Sequence, residues 1–286
     1  MRVWNKTLLT LQAEEVSNDL DRTFADHARG MGGYVCSGYG SREEFFSTYF
    51  DSRLQDYETF LMAHLPRNGR TLSIASGRAA LEMRLADQGF DIVCSDLEPV
   101  CPEPLRALFP RYNFMRWDAL NAAIPEDRFD NVMCLGFVYL LPPDRLDAFI
   151  GRVAALVAPG GVFILDSAGS PDNLVANFLH EVALPIDARS MCAALNVRAR
   201  IKGGPFRRVR RKHHGYRYRD REFVSVAKRH GFHLESVSHM DFENEWKRMF
   251  LYRYALSRLS PIRAAMLQAG RLMPYVRMFA FRSNRL

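Results

Sequence analysis

Short β-like runs that alternate with helical segments between residues 71 and 165 constrain the fold more than any other feature. The runs have the composition of buried strands, as in TLSI, DIVC, FDNVMCL and VFIL, and alanine- and leucine-rich segments lie between them. Strands that alternate with helices form a parallel sheet with helices on both faces. The pattern therefore predicts an α/β fold in which ligands bind beyond the carboxyl ends of the strands.

Changes in pattern divide the chain into four predicted parts. Residues 1–65 are aromatic-rich and predict an N-terminal helical cap, with an entry helix that begins at the N-cap candidate Ser41. Residues 66–168 carry the alternation of the core. Two amphipathic helices in residues 169–220 predict a lid or substrate insertion after the fifth strand. Residues 221–286 complete the core with a closing helix, further strands and a basic amphipathic C-terminal segment.

Positive charge is concentrated in the last third of the chain. The net charge is +7, but residues 201–286 contain 20 Lys and Arg against 6 Asp and Glu, so the first 200 residues are acidic. This asymmetry predicts an anionic partner, which can be a phosphate-bearing substrate, a nucleic acid or an anionic membrane surface. A solvated, arginine-rich helix face is the alternative.

Cysteine usage and hydropathy bound the compartment. The five cysteines are scattered and form no C-x-x-C pair, so we expect a reducing compartment, no disulfide framework and no metal site. We find no secretory cleavage site and no run near the roughly 20 apolar residues of a membrane span. The chain is therefore expected to be cytoplasmic. Its basic C-terminal segment can contact a membrane interface or a lipid-linked substrate, or simply pack on the sheet.

Three consecutive strand ends carry groups that suit one nucleoside. The small residues at 75–80 let a ligand approach the backbone at a helix N-terminus. Asp96, after the second strand, can accept hydrogen bonds from both ribose hydroxyls, or it can cap the next helix. Asp118, after the third strand, can accept from the exocyclic amine of adenine, and Leu120 supplies an apolar wall. Together these loops predict an adenosine site.

Two segments resemble the class I S-adenosylmethionine-dependent methyltransferases. They are TLSIASGRAALEMRLADQGFDIVCSDLEP and FDNVMCLGFVYLLPPDRLDAFIGRVAALVAPGGVFIL, within residues 71–165. The resemblance implies a Rossmann-like, mostly parallel seven-stranded sheet with S-adenosylmethionine as cofactor. It also implies methyl transfer to a hydroxyl or amine of a small-molecule, sugar or lipid-linked glycan acceptor. The C-terminal segment is similar to tails of bacterial methyltransferases in glycan and lipid-linked sugar pathways.

By the same resemblance, residues of four loops contact the cofactor. Ser76 and Gly77 line its methionine and ribose part, and Leu135 and Gly136 flank the methionine end. The implied cofactor set is Ala75, Ser76, Gly77, Asp96, Leu97, Asp118, Ala119, Leu135 and Gly136. The family's first loop is usually G-x-G-x-G, whereas here alanines replace both outer glycines, at Ala75 and Ala79. Alanine suits these positions if neither needs a positive φ.

Candidate catalytic residues come from two places. The resemblance implies that Tyr139 faces the reactive methyl group, although it can also be a packing residue at a helix start. His213 and His214 can take a proton from a hydroxyl, or they can be structural. His180 and Glu181 are alternatives.

The two histidines lie in a segment, residues 207–219, in which arginines alternate with tyrosines. Such a strand can hold phosphates and stack rings on sugars or bases. A solvated basic sheet edge is the other interpretation.

Three further functions remain open at this stage. The basic segment allows a methyltransferase acting on RNA or another nucleic acid. Ala75-x-Gly77-x-x-Ala80 can be aligned with a degenerate dinucleotide fingerprint, as in an NAD(P)-dependent reductase. The replaced glycines allow a catalytically inactive binding protein that kept the fold.

Overall fold

A computed structural model describes residues 4–13, 40–97 and 106–285. The strands are β1 (Trp4–Ala13), β2 (Arg70–Ile74), β3 (Asp91–Asp96), β4 (Asn113–Arg116), β5 (Phe129–Cys134), β6 (Val157–Ala168), β7 (Arg207–Arg217), β8 (Phe232–Met240) and β9 (Val276–Ser283). The helices are α1 (Arg42–Tyr49), α2 (Ser52–His64), α3 (Ala80–Asp87), α4 (Pro143–Leu156), α5 (Leu174–Phe178), α6 (Leu184–Lys202), α7 (Asp220–Arg229), α8 (Asn244–Lys247), α9 (Phe250–Tyr254) and α10 (Ser260–Gly270).

Seven strands form one sheet in the order β4-β3-β2-β5-β6-β9-β8. Every pairing from β4 to β6 is parallel, and β9 runs antiparallel to both of its neighbours, β6 and β8. From β2 the chain proceeds outward to β3 and β4, whereas from β5 it proceeds to β6 on the other side. The strand order thus reverses between β2 and β5, where sheets of this kind bind ligands. The predicted Rossmann-like α/β fold is confirmed.

Alternating side chains of the central strands build a core on each face of the sheet. Val132 and Phe163 pack in one cluster with Phe149 of α4 and residues of α7, whereas Met133 and Ile164 pack in another with residues of α2 and α3. Because successive strand residues point to opposite faces, both faces must be covered. The apolar runs of the sequence reflect this burial.

The N-terminal part differs from the predicted helical cap. Residues 42–64 are helical, but Asp51 starts a second helix there by accepting a hydrogen bond from the Leu54 amide at 3.0 Å, so the entry helix divides into α1 and α2. Residues 4–13 form a strand that pairs antiparallel with β7, outside the main sheet. Helix was the wrong prediction for these residues, because a distant pairing partner overrides local preference. Residues 14–39 lie outside the described part.

The segment between β6 and β7 is helical, as predicted for the insertion. It contains α5, a π-helical turn at Leu179–Ala183 and α6. Its role as a lid, and the division of the chain into four parts, stay predictions. In the described part of the chain, the helices are too short or too polar to cross a bilayer.

Candidate functional site

The loop from β2 into α3 adopts a left-handed backbone at alternate positions. The φ angles are 56° at Ala75, 52° at Gly77 and 54° at Ala79. Glycine takes this conformation readily, whereas alanine does so at a cost of about 1 kcal/mol. The condition under which alanine suits the loop is therefore not met. The backbone is left-handed at all three positions, although two of them are alanines.

Asp96 joins this loop to the end of β3. Its Oδ2 accepts a hydrogen bond from the Gly77 amide at 2.9 Å, and its Oδ1 accepts from the Leu97 amide at 2.7 Å. Burial raises the pKa of Asp96, and these two amides only partly offset that effect. The carboxylate is thus positioned between two strand ends, at the edge of a cavity.

Asp118 organises the turn after β4. Its Oδ1 accepts from the amides of Leu120 and Asn121 at 2.9 and 3.0 Å, and its Oδ2 accepts from the Asn121 side chain at 2.9 Å. Burial alone would raise the pKa of Asp118, but the Asn121 side chain and the two amides lower it overall. The carboxylate therefore stays ionised and keeps the turn in place.

These three loops enclose a first cavity of about 300 Å³ at the carboxyl ends of β2, β3 and β4. Asp96 and Asp118 are its charged acceptors, while Trp117, Phe137 and Leu141 supply apolar walls. A largely apolar cavity with a few convergent polar groups is the usual form of a small-molecule site. Leu97 and Ala119, both predicted to contact the cofactor, also line it.

A second cavity, of about 410 Å³, adjoins the first and shares Ala75 with it. The predicted cofactor residues Ser76, Gly77, Leu135 and Gly136 line this cavity. A Cβ built on Gly77 or on Gly136 would meet no atom within 4 Å, so their backbones border open space. The structure thus distributes the predicted cofactor residues over two neighbouring cavities.

The second cavity is also lined by residues that the sequence interpretation missed, among them Arg53, Tyr57, Asp166 and Tyr275. Asp166 accepts hydrogen bonds from the Gly136 amide at 2.6 Å and from the Tyr57 hydroxyl at 2.7 Å. Its position near the carboxyl end of β6 is the signal that could have identified it, as for Asp96 and Asp118. No local signal marks the other three, because they come from α2 and from the loop before β9.

Tyr139 lies in a 3₁₀ turn, Val138–Leu140, and lines the second cavity. Burial, with Tyr275 and Asp166 adding to it, raises the pKa of Tyr139 to about 12. Its hydroxyl is therefore neutral near pH 7 and can donate a hydrogen bond. Gly215 of β7 packs directly against this turn, since a Cβ there would lie 2.4 Å from the Tyr139 carbonyl oxygen.

The histidine candidates fall into two cases. His213 pairs with Thr7 in the two-stranded sheet, but the side chains of His213 and His214 lie outside the described part, so their catalytic role stays a prediction. His180 is buried, and its Nε2 lies 2.7 Å from Glu245 Oε2. Burial lowers the pKa of His180 more than this carboxylate raises it. His180 lines neither cavity described above.

Two arginines of the predicted phosphate-holding segment have internal partners instead. Arg217 is buried and donates to the Ser170 carbonyl and to the Asn177 side chain. Arg219 lies 2.7 Å from Asp172 Oδ1. Both guanidinium groups connect β7 to the loop after β6, and for these two residues the prediction of phosphate binding is not supported.

Glu82 lies in α3, beneath the β2 loop. It is buried, and its Oε1 accepts a hydrogen bond from the Ser73 hydroxyl at 2.6 Å. Burial raises the pKa of Glu82 to about 7, because an ionised carboxylate loses its hydration there. Neutral and ionised Glu82 therefore coexist near physiological pH.

Comparison with known proteins agrees with this geometry. Residues 71–161 match the sequence model of a methyltransferase domain. No curated protein sequence matches the chain significantly.

Solved structures share the fold over most of the chain. The 1,6-didemethyltoxoflavin-N1-methyltransferase of Burkholderia thailandensis, solved with S-adenosylhomocysteine, aligns with a TM-score of 0.54 at 16% identity, over 96% of this chain and 94% of that one. The methyltransferase in a complex with the Haloferax volcanii Trm112 activator aligns with a TM-score of 0.54 at 13% identity, over 92% and 96%. A Methanosarcina mazei S-adenosylmethionine-dependent methyltransferase aligns with a TM-score of 0.51 at 13% identity, over 79% and 98%.

At these identities the solved structures show the fold, which is that of the Rossmann-like methyltransferases. The matched sequence model adds that residues 71–161 have the pattern of a methyltransferase domain.

Proposed function

We propose that the chain transfers a methyl group from S-adenosylmethionine to a hydroxyl or amine of a small-molecule acceptor, with sugars and lipid-linked glycans as candidates. The observation that carries this proposal is the pair of cavities that share Ala75 at the switch point of the sheet. One is mostly apolar and has two carboxylates, and the other is lined by tyrosines, two arginines and open glycine backbone. Such a pair suits a nucleoside on one side and a polar acceptor on the other.

The residues present fit the cofactor. Asp96 would hold the ribose hydroxyls, and Asp118 with Ala119 would recognise adenine in the first cavity. The backbone at Ser76, Gly77 and Gly136 would border the methionine part. The open space beside both glycines supports this assignment, since no side chain fills it. When bound, the cofactor supplies a methyl group activated on a sulfonium.

The second cavity would orient the acceptor. Tyr139, Tyr57 and Tyr275 are phenols whose pKa values are raised, chiefly by burial, so they act as neutral hydrogen-bond groups. Methyl transfer depends mainly on in-line positioning of the two reacting atoms, which fixed side chains around a cavity can provide. For an acceptor hydroxyl, we propose His213 and His214 as candidates to remove the proton.

One alternative keeps a specific observation in its favour. The strained alanines of the first loop are compatible with a binding protein that has lost turnover. The matched methyltransferase domain argues against an NAD(P)-dependent reductase. A nucleic-acid acceptor is less favoured, because Arg217 and Arg219 of the arginine-tyrosine segment are engaged internally.

Calorimetric titration with S-adenosylhomocysteine tests the cofactor site. We expect S-adenosylhomocysteine to bind the unchanged protein, and we expect no binding of NADH or NADPH. Asp96→Asn should weaken the binding of S-adenosylhomocysteine by about 100-fold. This is the effect of losing two hydrogen bonds to a charged group, at roughly 1.5 kcal/mol each. The matched control is Asp127→Asn, which removes a surface acid that pairs with Arg70 at 3.1 Å.

Two results would contradict the proposal. One is no S-adenosylhomocysteine binding at millimolar concentration, and the other is equal affinity in Asp96→Asn and the unchanged protein. The thermal unfolding midpoint of Asp96→Asn without ligand separates lost contacts from a damaged loop, since Asn can still accept from one amide. If the product binds but no acceptor is turned over, the non-catalytic alternative gains support.

A further inference from the structure

A third cavity, of about 600 Å³, lies beyond the second one, and Arg53 and Tyr275 line both. We refer to it as the outer cavity. Helices α2, α8 and α9 contribute most of its charged wall. Any acceptor that fills the second cavity and extends away from the cofactor residues can enter it directly.

Cations dominate the wall of the outer cavity. The charged residues that line it are Arg53, Lys247, Arg248, Arg253 and a single acid, Asp51. Asp51 caps α2 through its Oδ1 at the Leu54 amide, and the four cations outnumber this one carboxylate. The exposed chemistry of this wall is therefore that of hydrogen-bond donors with positive charge.

Buried acids beneath the wall position two of these cations. Lys247 Nζ lies 3.0 Å from Glu243 Oε2, and Arg248 Nη1 lies 3.4 Å from Glu245 Oε2. Glu243 also binds Arg263 at 2.9 Å, and Glu245 also contacts His180. Because Glu243 is shared by two cations, Lys247 and Arg263, it does not neutralise Lys247 fully. These contacts hold Lys247 and Arg248 in place before any ligand arrives.

The other two arginines retain unused donors. The Nε of Arg53 is buried and has no hydrogen-bond partner among the described residues. Arg253 forms no ion pair within the described part of the chain, and its guanidinium instead lies 5.6 Å from the centre of the Tyr254 ring. A buried donor without a partner is costly, and a ligand oxygen would satisfy it. Both arginines line the same cavity.

We propose that the outer cavity binds a phosphoryl group carried by the acceptor. This inference rests on the proposed methyl transfer and adds the class of substrate. Guanidinium groups match phosphate oxygens with paired donors, and several cations in one wall favour a group with more than one negative charge. The phosphoryl group would be held between Arg53 and Arg253, while the rest of the acceptor reaches past Tyr275 toward Tyr139.

This assignment places acceptor recognition away from the arginine-tyrosine strand. The sequence suggested phosphate binding at residues 207–219, but Arg217 and Arg219 are committed to contacts within the fold. The charged wall of the outer cavity instead comes from the start of α2 and from the basic C-terminal segment. The positive charge of that segment would thus serve to bind the phosphoryl group.

Calorimetry with pyrophosphate, and separately with inorganic phosphate, tests the site without any acceptor. We expect pyrophosphate to bind the unchanged protein and Arg253→Gln to bind it about 10-fold more weakly, as for the loss of one charged hydrogen-bond partner. Arg258→Gln is the matched control, because it removes an exposed arginine from the neighbouring 3₁₀ turn, outside the cavity. Arg253→Lys should bind with intermediate affinity.

Several outcomes would overturn the proposal. They are an absence of pyrophosphate binding at millimolar concentration, equal weakening by Arg253→Gln and Arg258→Gln, and no change in either variant. Arg253 is exposed, so we expect both variants to unfold at the same temperature as the unchanged protein. Arg53→Gln provides a second, independent loss of affinity.

Titration of the same proteins with S-adenosylhomocysteine separates this proposal from the proposed function. Arg253→Gln should bind this ligand as the unchanged protein does. If S-adenosylhomocysteine fails to bind any of them while pyrophosphate binds, the methyl-transfer proposal fails and the phosphoryl site stands. If the reverse is found, only the outer-cavity proposal fails.

Vesicles distinguish a lipid-borne phosphoryl group from one on a soluble ester. Co-sedimentation with phosphatidylcholine vesicles containing phosphatidic acid, weakened by Arg253→Gln and by added pyrophosphate, would support a lipid-borne group in the cavity. Binding of soluble pyrophosphate without co-sedimentation would support a soluble phosphate ester. Co-sedimentation that neither change affects would place the lipid contact elsewhere and count against a lipid-borne group in this cavity.

Discussion

Two alanines in the cofactor loop adopt a backbone that glycine adopts more easily. Ala75 and Ala79 have φ angles of 56° and 54°, and Ala75 borders both the first and the second cavity. Neighbouring contacts must compensate for this strain, such as the hydrogen bond from the Ala79 amide to the Ser76 carbonyl at 2.9 Å. The geometry of the loop is therefore set by the fold and not by local preference alone.

Replacing Ala75 by glycine should stabilise the protein. Ala75→Gly relieves the left-handed strain, and after the greater flexibility of the unfolded chain is subtracted we expect a gain of roughly 0.5 kcal/mol. Ala86→Gly, within α3, is the control and should lose about 1 kcal/mol, because its backbone is helical. Urea unfolding measures the free energy of unfolding of both variants. A loss of stability in Ala75→Gly would contradict the strain interpretation.

Glu82 should make stability depend on pH. Its pKa in the folded state is about 7, against an ordinary 4.5, so folding favours the protonated form. The folded state therefore loses stability as pH rises from about 4.5 through about 7, by up to about 3 kcal/mol at 1.36 kcal/mol per unit.

Glu82→Gln removes the ionisation and keeps an oxygen that can accept from Ser73. The variant should gain stability relative to the unchanged protein when pH is raised from 5 to 8, by about 2–3 kcal/mol. Glu126→Gln, at an exposed acid, is the control for the same substitution on the surface. Urea unfolding at each pH provides the measurement, and a pH-independent effect of Glu82→Gln would refute the assignment.

At the scale of elements, β7 connects the N-terminal strand to the second cavity. It pairs with β1 along its length and presses Gly215 against the Tyr139 turn. Gly215 has a φ of 119°, and the site of its missing Cβ is 2.4 Å from the Tyr139 carbonyl oxygen. The glycine thus allows the strand to approach the turn that carries a candidate catalytic tyrosine.

A methyl group at position 215 should push these two elements apart. For Gly215→Ala we expect a loss on the order of 3 kcal/mol, because backbone strain and overpacking add together. Gly203→Ala is the matched control, since Gly203 has a φ of 73° but open space around it, and it should lose only about 1 kcal/mol. Denaturant unfolding compares the two variants. Equal losses would mean that the close approach to Tyr139 contributes nothing.

Across the whole molecule, Arg277 joins the last strand to distant parts of the chain. Its fully buried guanidinium donates to the carbonyl oxygens of Ala168 and Tyr218 at 2.6 and 2.8 Å, and it pairs with Asp220. These partners lie at the ends of β6 and β7 and at the start of α7. One side chain of β9 therefore connects β6, β7 and α7.

Loss of Arg277 should destabilise the whole fold. Arg277→Gln leaves buried carbonyl groups without donors and should cost about 3 kcal/mol or more. Arg282→Gln, on the same strand, breaks a more exposed pair with Glu235 and should cost less than about 1 kcal/mol. Thermal and urea unfolding of both variants test this. A similar small cost for Arg277→Gln would show that its buried contacts are replaceable.

The sequence alone was sufficient for the core and for the positions of two acids at the strand ends. Alternating strands and helices, the acids at or just after the ends of β3 and β4, and a closing helix with further strands were all predicted near the positions where they occur. Hydrophobic periodicity and turn residues are local properties, and the carboxyl ends of parallel strands necessarily lie on one edge of the sheet. The position of a residue directly after a strand can therefore be predicted from the sequence.

Only the tertiary structure decided the features that depend on distant partners. Residues 4–13 are a strand because β7 pairs with them, and Ala75 takes a positive φ because the strands around it hold the loop. Arg53, Tyr275 and Arg253 meet around the cavities although they are far apart in the sequence. Strand pairing, burial and the walls of cavities depend on contacts between segments that are remote in the sequence. No local sequence pattern encodes these contacts.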